Sequence, residues 1–172
     1  MVKKIGILLA ASIVVAALWF VGLEGIYARV LIFITNTLLD IAGSETTLSL
    51  TMEEGERVFR VRTQIDGNWG TYPQRLQSLL LPTVMVLAWQ LFSAFFIERK
   101  RALKSSGLNI GLFVFFHIIF LLLLTGYHTS RVAHFFYIVF MDSFYIVGLL
   151  IILVDNIRNP VFITGKRQTK QV

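Results

Sequence analysis

The 172-residue chain contains no cysteine. Disulfides, thiolate metal sites, iron–sulfur ligation and a cysteine nucleophile are therefore outside its chemistry. It also lacks HExxH, GxSxG and a phosphate-binding glycine loop with a following lysine, the motifs that would set catalytic groups at fixed spacing. "GLNIG" at Gly107–Gly111 is too short and too close to an apolar run to be a nucleotide loop. No repeat or low-complexity segment is present. Charge is scarce as well, at 15% of residues.

In place of charge the chain has apolar surface: 56% of its residues are hydrophobic and its mean hydropathy is +0.73. A soluble domain of this size is not so apolar, so the composition reads as that of an integral membrane protein. Four runs, Ile5 to Leu23, Leu76 to Ile97, Leu108 to Tyr127 and Val132 to Val154, approach the ~20 helical residues that cross a bilayer. Lys3 and Lys4 precede the first, but no small-residue cleavage site follows it before Glu24, which marks an uncleaved anchor rather than a secretory signal.

If all four runs span, the basic residues sort to one side. Lys3, Lys4, Arg99, Lys100, Arg101, Lys104, Arg158, Lys166, Arg167 and Lys170 fall together, 10 of the 16 lysines and arginines and every lysine. The other side holds six arginines against seven acids. Cytoplasmic loops are enriched in Lys and Arg, so both termini are expected in the cytoplasm, in a bacterial or archaeal cytoplasmic membrane. The formal charge of +6 then reflects topology, and nucleic acid is not an expected partner.

Four segments follow: a first anchor (1–23), an extracytoplasmic segment (24–75), a three-helix transmembrane region (76–155) and a cytoplasmic tail (156–172). In the second, "GIYARVLIFITNTLLDIAG" reads as an interfacial or re-entrant helix closing at Gly43. "TTLSLTMEEGERVFRVRTQ" alternates with period two around a Gly-containing turn, which signals a β-hairpin. "IDGNWGTYPQ" reads as a turn into the second run, with Pro73 at a first helical turn and Pro82 kinking the helix beyond. The expected fold is all-α transmembrane: a four-helix membrane bundle with an interfacial helix and a small hairpin.

Ionisable groups inside spans are costly and face partners. His117 and Asp142 fall near the middle of the third and fourth runs, so they are expected to pair, with Gln90 of the second run nearby. Two roles are open: a hydrogen bond that fixes helix register, or a proton or ion relay. At the outer mouth, "GYHTSRVAHFF" gathers His128, Arg131 and His134. These side chains suit either a headgroup-level loop or a site for a phosphate or carboxylate.

From Ile26 onward the order of parts resembles the exosortase/archaeosortase family of membrane transpeptidase-like proteases. The shared parts are an amphipathic helix ending in glycine ("NTLLDIAG"), a hairpin, a turn entering a span, the basic loop "ERKRALK", another span, and a histidine opening the last ("AHFFYIVFMDSF"). The resemblance implies an active site of cysteine, arginine and histidine. Asn68 stands about where the cysteine would be, and Arg131 and His134 correspond to the other two. Neither Asn68 nor nearby Thr71 replaces a thiolate without an arranged base. The resemblance thus implies a non-catalytic companion of a protein-sorting or envelope-export system, with no cofactor and no metal. Its expected partners are membrane lipids and another membrane or envelope protein, docked through Ile26 to Gln74. The alternatives are an interface enzyme or lipid-handling protein using Arg131 and His134, with Asn68 and His128 as further ligand candidates, and a small transporter or channel subunit using His117 and Asp142.

Overall fold

The computed structural model describes residues 2–65, 67–141 and 143–162, with the backbone alone for 76–79. Helix α1 (Val2–Leu18) passes through a π-helical turn, Trp19–Leu23, into α2 (Glu24–Ile41). Gly22 in that turn has non-helical dihedrals, φ 156° and ψ −11°. Three strands follow, β1 (Thr47–Glu53), β2 (Glu56–Ile65) and β3 (Asn68–Arg75), then α3 (Leu76–Ala94), α4 (Arg99–Thr125), α5 (Arg131–Met141) and α6 (Phe144–Arg158).

Two expectations are corrected. The protein is not an all-α four-helix bundle with a hairpin: it is mostly helical but carries a three-stranded antiparallel sheet in the order β1-β2-β3. The extra strand is the segment read as a turn, and Pro73 lies within it rather than at a helix start. Nor are there four candidate spans. Among the described residues two helices are long and apolar enough to cross a membrane, Val2–Ile41 and Arg99–Thr125. A third counts only if α5 and α6, bent by 57° at their break, form one span. Tight turns from Phe95, Phe96 and Ile97 back to Phe92 and Ser93 end α3 at Ala94. Its described apolar part, Leu80–Ala94, is 15 residues, about 22 Å of helix.

The chain forms two compact units. Unit 1 comprises Met1–Val21, Pro82–Phe113 and Tyr145–Val172; unit 2 comprises Gly22–Leu81 and Val114–Phe144. In unit 1 the buried cluster of Ala11, Trp89, Phe92 and Val161 packs with Ile7, Leu8, Phe96, Ile97 and Ile152. Gly148 lets α6 approach α3 closely, since a Cβ there would lie 2.9 Å from Met85 Cε.

Unit 2 is organised around the sheet. The turn between β1 and β2 has both central residues at positive φ, Glu54 at 51° and Gly55 at 82°, the geometry whose twist matches paired strands. Leu48, Phe59 and Val61 are buried on the inner face, opposite Ala28, Leu31, Thr35 and Leu39 of α2, which are buried too. Gly43, at φ 68°, ends α2: Gly43 N–H donates to Asp40 O and Ser44 N–H to Leu39 O, which satisfies its last carbonyls in a Schellman arrangement.

Asn36 joins helix to sheet. Its Nδ2 donates to Leu48 O and its Oδ1 accepts from Leu48 N–H, both at 2.9 Å. The amide thus gives Leu48 the two hydrogen bonds a neighbouring strand would supply. Asn36→Ala leaves both main-chain groups short of partners, a loss of about 1–3 kcal/mol. Hydrogen exchange should show the Leu48 amide opening roughly ten-fold faster or more, with Asn36→Asp, which keeps only the acceptor, between the two.

Candidate functional site: polar and aromatic clusters in the two units

Antiparallel pairing turns every second residue inward, so β3 presents Tyr72 opposite Val61 and Gln74 opposite Phe59 on the buried face. Tyr72 Oη donates to Leu124 O at 2.5 Å, and Tyr137 Oη of α5 donates to Gln74 Oε1 at 2.7 Å. These two bonds tie the sheet to α4 and α5. Gly126, where a Cβ would meet Ala133 Cβ at 2.9 Å, allows the tight passage between those helices.

Around this frame the rings converge. Tyr127 lies 4.3 Å from the His134 ring, 4.8 Å from His128 and 4.9 Å from Tyr137 between centroids. His128 sits edge-on to Tyr72 at 4.5 Å. Ser130 caps α5, its Oγ accepting from Ala133 N–H at 3.3 Å. Two of the proposed ligand residues, His128 and His134, are therefore brought together by Tyr127. Arg131 is exposed at the start of α5, and Asn68 is exposed at the first position of β3, four residues or about 13 Å of strand from Tyr72. Neither side chain has a hydrogen bond among the described residues. No group of three His, Asp or Glu side chains among those residues could hold a metal ion.

His117 is buried at 1% exposure and stacked on Phe144 at 4.6 Å. Its Nδ1 lies 3.2 Å from Tyr27 Oη, the donor being set by the imidazole tautomer. The expected partner Asp142 lies outside the described residues. Gln90 belongs to unit 1, where its Oε1 accepts from Ser106 Oγ at 3.1 Å.

The most developed polar cluster was not anticipated from the sequence. Asp155 of α6 is 1% exposed and takes three donors: Trp89 Nε1 of α3 at 2.7 Å, Asn159 Nδ2 at 3.1 Å and Ser105 Oγ of α4. Asn159 Nδ2 also reaches Ser105 Oγ at 3.3 Å, and Arg101 donates to Arg158 O at 2.7 Å beside it. The available signal is helical spacing: Ser105 with Asn109, and Asp155 with Asn159, each four residues apart and so on one face. With each carboxylate oxygen accepting from fixed donors, the cluster joins three helices.

Comparison with known proteins finds no family model, no curated protein and no solved structure that matches the chain.

Two outcomes follow from these clusters. Burial, then the neighbouring Tyr137 and Tyr127, hold the Tyr72 phenol above the ordinary tyrosine range. A pKa raised by folding contributes stability that is present below the unfolded value of roughly 10 and is lost as pH rises above it. Thermal unfolding in detergent between pH 8 and 11 should therefore show a fall above pH 10, and Tyr72→Phe should flatten it. In unit 1, Asp155→Leu strands three donors, the two buried ones, Trp89 and Asn159, at about 1–3 kcal/mol each. It should lower the unfolding temperature well beyond Asp155→Asn, which still accepts; equal effects would show that the donors do not depend on the carboxylate.

Proposed function

We propose that this protein is a non-enzymatic integral membrane component that docks a partner protein through the free edge of its sheet. The observation that carries this reading is the direction of the β1 main chain. Leu48 N–H and C=O both turn to Asn36, away from β2. Alternate residues of a strand point the same way, so the N–H and C=O of Leu50 and Met52 also face outward, with no strand beyond them in the sheet. An open row of this kind accepts an added strand.

The other edge is less receptive. The same alternation turns Tyr72 and Gln74 towards β2 and Pro73 outward, so the N–H that proline lacks is missing from the free edge of β3, where it costs no ladder bond. The resemblance in order of parts to the exosortase/archaeosortase family, short of the turn that β3 replaces, supports placing the partner in a protein-sorting or envelope-export system. Orientation is supported by charge: Lys3 and Lys4 stand at the start of α1, ahead of the first apolar stretch. The proposal puts the lysine-bearing start of α1 in the cytoplasm and the docking edge on the extracytoplasmic side.

Met52→Pro tests the reading, because it deletes one outward N–H without touching the β1–β2 ladder. The full chain, tagged and purified from its native membrane in mild detergent, should carry a stoichiometric protein partner whose yield falls ten-fold or more in Met52→Pro and is unchanged in Arg131→Ala and His134→Ala. Full retention by Met52→Pro, or purification without any protein partner, would sink it.

A further inference from the structure

Beside the β1 edge lies a groove of about 470 Å³ between α2 and β1. It is lined by Ile32 and Phe33 of α2 and Leu50 of β1, with Arg29 and Asp40 of the same helix. Eleven residues of α-helix turn through just over three full circles, so Arg29 and Asp40 share one helix face about 16 Å apart. Both are exposed, and among the described residues neither side chain makes an ion pair or a side-chain hydrogen bond. Elsewhere on unit 2 Arg57 pairs with Glu24 and Arg60 with Glu53.

Three features of the groove point to one kind of occupant. The β1 edge at Leu50 offers main-chain groups that only another extended backbone satisfies in series. Phe33, 73% exposed, offers apolar area to a side chain of that backbone. The opposite charges at the two ends complement a cation at Asp40 and an anion at Arg29, and an extended chain covers 16 Å in about five residues. A phospholipid acyl chain matches neither the strand edge nor Asp40.

We infer that the α2–β1 groove takes an extended peptide segment bearing one acidic and one basic side chain about five residues apart, the acid on Arg29 and the base on Asp40. This rests on the docking reading above and adds to it the chemistry and the polarity of the segment. Arg29 and Asp40 fix which way the segment runs; where it passes Asn36, which lies between them on α2, it makes no main-chain bonds, since Leu48 already has its two.

The test uses the full-length protein in detergent against an array of heptapeptides of alternating valine and threonine, with one aspartate and one lysine placed at every pair of positions. Binding should peak at separations of four or six residues, which put both side chains on one face of an extended chain, and in one order of the two charges. The doubly reversed chain, Arg29→Asp with Asp40→Arg, should prefer the opposite order, and N-methylation of the best peptide's main chain should weaken it ten-fold or more. The inference is overturned if binding ignores the separation, if both chains prefer the same order, or if no peptide binds. It is equally overturned if p-benzoylphenylalanine placed at Thr37 cross-links chiefly to phospholipid in membranes. A native partner lost with Met52→Pro but kept by the charge-reversed chain would leave docking intact and remove only the charge selection.

Discussion

A polar group among apolar helices has no water to fall back on, so its hydrogen bonds must come from the chain itself. Asp155 is where unit 1 answers that demand. Its carboxylate draws Trp89 from α3 and Ser105 from α4 onto α6, three segments far apart in sequence. Apolar packing alone would let such helices slide or rotate, because one leucine contact resembles another. A carboxylate with three directed donors fixes their register, and the surrounding Trp89, Phe92 and Val161 cluster then has a single arrangement to fill. Unit 2 meets the same demand with phenols and amides: Tyr72 on Leu124, Tyr137 on Gln74, Asn36 on Leu48.

The apolar character of the chain and the β1–β2 hairpin were legible in the sequence, because both rest on periodicity. Leu48, Leu50 and Met52 alternate with Thr47, Ser49 and Thr51, and the glycine of "EEGE" supplies a positive φ. The helix stop at Gly43 was legible for the same reason. β3 was hidden, since "NWGTYPQR" is rich in turn formers; what holds it in the sheet is long-range, the anchoring of Tyr72 and Gln74 by α4 and α5. The number of spans was overcounted because hydropathy reports apolar length and is blind to breaks such as the 57° bend between α5 and α6.

The candidate site shows the same division. His128 and His134 were read together from their closeness in sequence, and Tyr127 does hold both rings. Tyr27 beside His117 lies 90 residues away and no local pattern marks it. Asp155 was overlooked because a carboxylate near the end of an apolar run reads as a boundary residue. Its partner Trp89 looked like packing until its indole N–H was followed to an acceptor.

The two borders of the sheet differ in a way that bears on stoichiometry. Pro73 interrupts the outward row on β3, and Asn36 occupies the first outward position on β1. On β1 only the short stretch at Leu50 and Met52 remains, room for one short strand. A border with one such opening takes a single short strand and then has nothing left to offer. Growth into a fibre needs two receptive borders on every molecule, and a single proline and a single amide each shorten one of them.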